Sequence, residues 1–476
     1  MIIVGCTAGL GLLDSALALS QSVELGIHAW SASPMAQTTT APSPSEKVPP
    51  QEDLPDSLEI TKPDPLLPRI PVKRPLTVLE RRSLTEALDK LEVEAKAARE
   101  QGDLATAFKI WNRTLRLRRF LGVISEVRAL GQVGNIAWEE TQPIQIRLIR
   151  NRLQAIQEQY LPSLTQRSTA LPQLPDSEQV EPDPALMLPQ LPTDPVDLVL
   201  LQRALGIAYQ QIRSRPLALA VYEQQLAQAR QRGDRALEQA TLIIIGGLHF
   251  NWFDYPNAVQ TYRQLLPLAP IKVTTPPVKR SEDQALEDPP LMTKAEILRR
   301  IIYMQEQDRQ WLAAIATQEE LVMLAQSQKQ TDLMPGLRLA IARNYRALGD
   351  FDAAIANYRQ AYLLAQPLQQ FGYASDALKE AADLYKANNQ PQKAIEIYQF
   401  LLEVDQQAYN TYGRMMTYDQ IGQLYRQQGD TTRAVRAFQQ GLALARQLKY
   451  QEDYFLQQIE SVRNPSPKST TSAPAG

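Results

Sequence analysis

From residue 199 to 463, apart from the stretch 267–293, small, apolar and aromatic positions recur as they do in amphipathic helices, and these helices fall into pairs that repeat at a fixed distance. Ala314, Ala354, Ala394 and Ala434 are 40 residues apart, and so are Ala218 and Ala258. Four positions after these six alanines stand Tyr222, Tyr262, Gln318, Tyr358, Tyr398 and Phe438, and twelve before them stand Gly206, Gly246, Ile302, Ala342, Ala382 and Gly422. Nine before them come Tyr209, His249, Gln305, Tyr345, Tyr385 and Tyr425. An earlier copy of the pattern has Gly102-Asp103, Ala107 and Trp111, with Ala95 and Ala98 upstream. No stretch alternates as a strand would, so the predicted class is all-α.

Close helix packing explains the set. Two antiparallel helices approach only where small side chains meet, so Gly or Ala on the first helix is expected to face Ala on the second, with aromatic rings filling the gaps beside the crossing. Gly349-Asp350 and Gly429-Asp430 supply the turn, Gly as the left-handed cap and Asp as the N-cap of the next helix. A lone helix pair leaves an apolar face uncovered, so the pairs must stack. Ile302, Gln305 and Gln318 depart from the small and aromatic types, which predicts an irregular pair at 296–324 and a break or bend there.

Proline divides the chain. Of 34 prolines, 28 lie in four stretches, Pro34–Pro75, Pro162–Pro195, Pro267–Pro290 and the tail from Pro465, none of which can be helix interior. The predicted organisation is a signal peptide over 1–36, a Pro-rich leader over 37–76, flexible or laid along the surface, and a helical block over 77–160 holding one pair and a degenerate second pair. An acidic insertion follows at 161–198, then two repeats at 199–266, a Pro-rich insertion at 267–293, four repeats at 294–448, a capping helix at 449–463 and a disordered tail at 464–476. The stretch 161–198 carries a net charge of -5 and the block 73–152 a net charge of +6, so docking of the one on the other is electrostatically favoured.

The small-residue and aromatic register resembles the tetratricopeptide repeat family, over 199–463 apart from the second insertion and more loosely over 84–160. The period of 40 exceeds the family's usual repeat of about 34, so longer helices are expected, as in kinesin light chains and bacterial peptide-sensing regulators. The resemblance implies a right-handed α-solenoid of antiparallel helix pairs that binds a peptide or protein segment on its concave face and catalyses nothing. In that family the groove is lined from positions three before, one after and four after the first-helix small residue. Here these are Arg203, Ile207 and Gln210; Ile243, Gly247 and Phe250; Arg299, Tyr303 and Glu306; Leu339, Arg343 and Arg346; Lys379, Asp383 and Lys386; and Asp419, Gln423 and Arg426. Seven of these are basic and three acidic, which biases the groove toward an acidic partner. The residues expected to contact the bound segment are Arg203, Gln210, Arg299, Tyr303, Arg343, Arg346, Lys379, Lys386, Gln423 and Arg426. The Lys-and-Asn clamp for a terminal carboxylate found in some members is not matched.

Composition removes most other functions. The chain has 476 residues, 44% hydrophobic and 21% charged, with 50 basic against 52 acidic side chains, so no global field draws it to nucleic acid. One cysteine and two histidines exclude a disulfide framework and a thiolate or imidazole metal cage, and no cofactor motif occurs. His249 occupies a position elsewhere held by Tyr and reads as a packed residue rather than a ligand. Arg113, Arg116, Arg118 and Arg119 cluster on one helix, but without interleaved aromatics or a reader motif they do not mark a nucleic-acid site.

The apolar run Ile2–Leu13 has the length of a signal-peptide core and is too short to span a membrane, with small-residue cleavage sites at Ala16-Leu17-Ala18 and Ser33-Pro34-Met35-Ala36. No basic residue precedes Lys47, which departs from the usual signal-peptide start. Cys6 follows a small residue as in a lipobox but has no apolar core ahead of it, so it is read as an incidental cysteine. The expectation is an exported bacterial scaffold or assembly factor of the cell envelope, in the periplasm or, since the style resembles cyanobacterial sequences, the thylakoid lumen. The rival is a cytosolic receptor for a small peptide.

Overall fold

The computed structural model describes residues 58, 60, 64–68, 74–161, 189–192, 195–271 and 289–464. Among them are 17 α-helices and no strand. The helices form eight consecutive pairs and a terminal helix: α1 (Val78–Glu100) with α2 (Leu104–Arg118), α3 (Val123–Glu139) with α4 (Pro143–Tyr160), α5 (Leu198–Gln211) with α6 (Arg215–Arg232), and α7 (Arg235–Asn251) with α8 (Tyr255–Leu265). The stack continues with α9 (Lys294–Gln307) and α10 (Trp311–Ser327), α11 (Met334–Leu348) and α12 (Phe351–Ala365), α13 (Phe371–Ala387) and α14 (Pro391–Gln407), and α15 (Thr411–Gln427) and α16 (Thr431–Leu448); α17 (Glu452–Arg463) closes it. The architecture is an α-solenoid.

Turn chemistry sets the helix ends. Gly102, Gly349 and Gly429 adopt φ of 82°, 88° and 77°, where a side chain is disfavoured, and the aspartate that follows each accepts the N–H three residues on at 2.9–3.0 Å. Pro143, Pro216, Pro256, Pro335 and Pro391 all stand in first turns, where the missing N–H is not needed. At other turns a non-glycine takes the left-handed position, including Arg213, Phe253, Arg309, Asn389 and Tyr409, with φ between 55° and 58°.

Ala218, Ala258, Ala314, Ala354, Ala394 and Ala434 have no exposed surface, and the rings of Tyr222, Tyr262, Tyr358, Tyr398 and Phe438 are fully buried. The crossing differs from expectation in one respect. The ring, and not the alanine, takes the space that the first-helix glycine leaves: a Cβ on Gly206 would lie 2.2 Å from Tyr222 Cζ, and one on Gly422 would lie 2.6 Å from Phe438 Cε1.

The irregular pair α9–α10 replaces these rings with a buried polar network. Thr317 donates to Gln305 at 2.8 Å, Gln318 to Glu306 at 3.2 Å, and Arg263 of α8 reaches Thr317 at 2.6 Å. Such groups remain inside because they are bonded to one another. Of the break or bend expected here, packing shows no break: Tyr262, Leu265 and Ala269 form one apolar cluster with Ile297, Ile301 and Met304, and Lys294 N–H donates to the Pro270 carbonyl at 3.0 Å. The core is also continuous across the first insertion. Gly131 of α3 lies against Ala208 of α5, where a Cβ would come within 2.9 Å of the Ala208 backbone, so in the second pair the glycine serves packing between pairs and not within one.

The leader residues that are described are bound to the first pair. Leu58, Leu67 and Leu76 are buried, the last two among Leu84, Leu88, Leu117 and Phe120. Arg113 grips Asp64 through two bonds of 2.7 and 2.8 Å, and Arg119 donates to the Leu58 carbonyl. At the far end, Phe455, Ile459 and Val462 of α17 cover the last pair, with Phe455 over Gly441. The apolar run Ile2–Leu13, Cys6, His28, the tail from Pro465 and the acidic residues Asp176, Glu178, Glu181, Asp183 and Asp194 lie outside the described residues. From the first insertion, Gln190 N–H donates to the Arg74 carbonyl at 2.9 Å.

Candidate functional site

The first helices of successive pairs lie side by side, and the residues expected to line a groove fall on them. Their surroundings divide the set. Arg203 is 3% exposed, on a helix flanked by α3, α4 and α6, so it is withdrawn from any ligand, and Gln210 turns to its own helix, donating to the Gly206 carbonyl at 3.2 Å.

Along the last three pairs, several residues are rungs between neighbouring first helices. The Arg343 guanidinium of α11 forks onto Glu380 of α13 at 2.6 and 2.9 Å, with Asp376 at 3.6 Å. The hydrogen bonds to Glu380 raise its already high pKa. Tyr358 donates to the same Glu380 at 2.9 Å, and burial followed by that carboxylate's charge pushes the phenol up to about 12. Lys386 of α13 donates to Gln420 of α15 at 2.9 Å and lies 3.3 Å from Asp383, whose carboxylate accepts the Tyr398 hydroxyl at 2.8 Å. Arg426 donates to Gln458 of α17 at 2.8 Å, while Gln423 and Tyr454 both donate to Asp419, at 3.1 and 2.9 Å. Burial raises the pKa of Asp419 despite these donors.

Thus the basic bias read from the sequence is smaller on the folded surface, because acids three positions short of a full period, such as Glu380, neutralise part of it. Arg299, Arg346 and Lys379 are exposed and form no ion pair among the described residues.

The earlier pairs present an apolar stretch. Ile243, Gly247 and Phe250 follow one another at helical spacing on α7. Tyr303 of α9, 45% exposed, stands 5.9 Å from the Phe250 ring, and the Arg300 guanidinium lies 5.6 Å over that ring while donating to the Tyr262 hydroxyl at 2.9 Å.

The other candidates resolve into packing. His249 is buried, with Nδ1 3.0 Å from Asp254 Oδ2, an oxygen that Arg215 also reaches. Burial would raise the Asp254 pKa, but Asn257, His249 and Arg215 outweigh it and hold it low. Of the arginine cluster, Arg113 is taken by Asp64, and Arg119 is buried against Glu126, which Arg152 also grips at 2.6 Å. Among the described residues no group of His, Cys, Asp and Glu could hold a metal, and no helix is long and apolar enough to cross a membrane.

Family models described as Tetratricopeptide repeat match residues 201–236, 336–367 and 373–447, so the chain carries tetratricopeptide repeats. Solved structures with a similar fold include MamA (18% identity, TM-score 0.30, covering 46% of this chain and 96% of that one). A second is a kinesin light chain from Podosopora anserina with nearly identical TPR-like repeats (15%, 0.30, 44% and 97%). A third is the C-terminal part of a TPR repeat-containing protein from Cytophaga hutchinsonii (13%, 0.34, 55% and 87%). No curated protein matches the chain.

Proposed function

We propose that this protein is a non-catalytic scaffold or assembly factor that holds a segment of another protein against the shared face of its first helices. The observation that carries the reading is the continuity of that face from α11 to α17. Its rungs, Arg343–Glu380, Lys386–Gln420 and Arg426–Gln458, fix α11 to α13, α13 to α15 and α15 to the terminal helix α17, so the surface is pre-formed and a ligand need not order it. Arg346 and Lys379 remain exposed between the rungs and would meet carboxylates of an acidic segment.

The test follows from which cations are engaged. Arg346→Glu with Lys379→Glu should abolish co-purification of the native partner while leaving helicity unchanged, since neither residue is in an ion pair among those described. Undiminished co-purification would refute the reading. We further propose export to the periplasm or thylakoid lumen, on the strength of the apolar run Ile2–Leu13 and the small-residue junctions after it. Amino-terminal sequencing of the native protein tests this: a mature chain starting near Gln37 agrees with export, and an uncleaved chain in the cytosol contradicts it.

A further inference from the structure

The terminal helix α17 has no partner helix of its own among the described residues, and its C-terminal end leaves an open cleft against the start of α16. The cleft has a volume of about 560 Å³ and is lined on one side by Thr431, Thr432, Val435 and Arg436 and on the other by Val462 and Arg463. Because α16 is a second helix, the cleft lies off the first-helix face.

Two guanidinium groups line this cleft with nothing to neutralise them. Arg436 and Arg463 are exposed, and neither forms an ion pair or a side-chain hydrogen bond among the described residues. No carboxylate is among the lining side chains. Asp430, next to Thr431 in the chain, is taken by Arg433, whose guanidinium is bonded to it and lies 4.8 Å over the Tyr425 ring.

Like charges lining one cleft repel, and an anion bound there turns that repulsion into charge-assisted hydrogen bonds. The planar fork of arginine fits both carboxylate and phosphate. Charge separates the two, since a phosphomonoester carries about -1.5 to -2 at pH 7 and matches two arginines, whereas a carboxylate leaves one of them uncompensated. The hydroxyls of Thr431 and Thr432 add donors for the remaining phosphate oxygens. Val435 and the buried Val462 offer apolar contact to whatever carries the phosphate.

We propose that the α16–α17 cleft binds a small organic phosphomonoester, with Arg436 and Arg463 on the phosphate and Val435 and Val462 against the organic body. Its volume falls within the range of small-molecule sites, roughly 300–1,000 Å³, which suits a free ligand.

The test is isothermal titration calorimetry of the full chain with phenyl phosphate. Saturable one-to-one binding is expected, weaker by about tenfold for inorganic phosphate, which lacks the apolar body, and for benzoate, which carries a single charge. Arg436→Gln with Arg463→Gln should weaken phenyl phosphate by about tenfold or more, and Gln439→Glu, which adds a carboxylate to the lining and leaves both arginines in place, should weaken it too. All three side chains are exposed, so melting temperatures should match wild type. Arg232→Gln with Arg359→Gln removes two exposed cations without ion pairs on the second helices α6 and α12, and should leave binding unchanged. Absence of saturable binding, or an equal loss from this remote pair, would overturn the site. Benzoate bound as tightly as phenyl phosphate would overturn the phosphate assignment, and a phosphothreonine peptide bound more tightly than phenyl phosphate would overturn the small ligand in favour of a modified polypeptide.

Discussion

The Tyr222 ring lies over Gly206 so closely that a Cβ on the glycine would be 2.2 Å from Cζ, a contact at the crossing of the first helix of its pair with the second. Gly206→Ala should therefore force the ring or the helix aside and destabilise the protein by about 1–3 kcal/mol. The same substitution at Gly247, where space is open, should stabilise it by about 1 kcal/mol through helix propensity alone. Denaturant unfolding of the two variants checks the pair; equal effects would contradict the assignment of the crossing.

Tyr409 holds a left-handed backbone (φ 55°) between α14 and α15 and is 94% exposed, so it gains little packing in return for the strain. Tyr409→Gly should raise stability by about 1 kcal/mol, whereas Gly429→Ala, at φ 77°, should lower it by about 1–2 kcal/mol. Thermal unfolding distinguishes the signs.

The repeat was legible because packing at a helix crossing recurs: Ala218 to Ala434, the rings after them and the Gly-Asp turns are dictated locally and come back at a fixed interval. What could not be read was set by contacts with no period. The grip of Arg113 on Asp64, 49 residues away, fastens the leader to α2, and nothing in the spacing announces it. The burial of Arg203 follows from the fit of α5 against α3 across an insertion whose length hides the register. The Arg343–Glu380 rung was within reach, since Glu380 lies on the next first helix, but it stands outside the three positions per helix that the family resemblance singles out.

Acid should act oppositely at the two ends of the stack. The Arg74 hydrogen bonds, then those of Thr77, hold the Glu80 pKa down at about 2. Burial would raise Asp64, but Arg113 outweighs it and lowers its pKa below 3.8. Both carboxylates therefore stabilise the leader's attachment above their ordinary pKa values of 4.5 and 3.8, and that contribution is lost as pH falls through their lowered values. Asp405 and Asp419 are buried and shifted upward by desolvation, so their contribution is present below 3.8 and lost as pH rises through their raised values. Hydrogen exchange should show residues 64–68 opening on acidification below about pH 4 before α15–α17 do. The Asp419→Asn variant should gain stability relative to wild type as pH rises; a difference independent of pH would contradict the account.

The central claim is that the first-helix face receives another polypeptide. A photo-crosslinking amino acid placed at Lys379, exposed on a first helix, and separately at Arg359, exposed on the second helix α12, tests it in the native cell. The account predicts a discrete crosslinked partner from position 379 and none from 359. Crosslinking from 359 alone would contradict it.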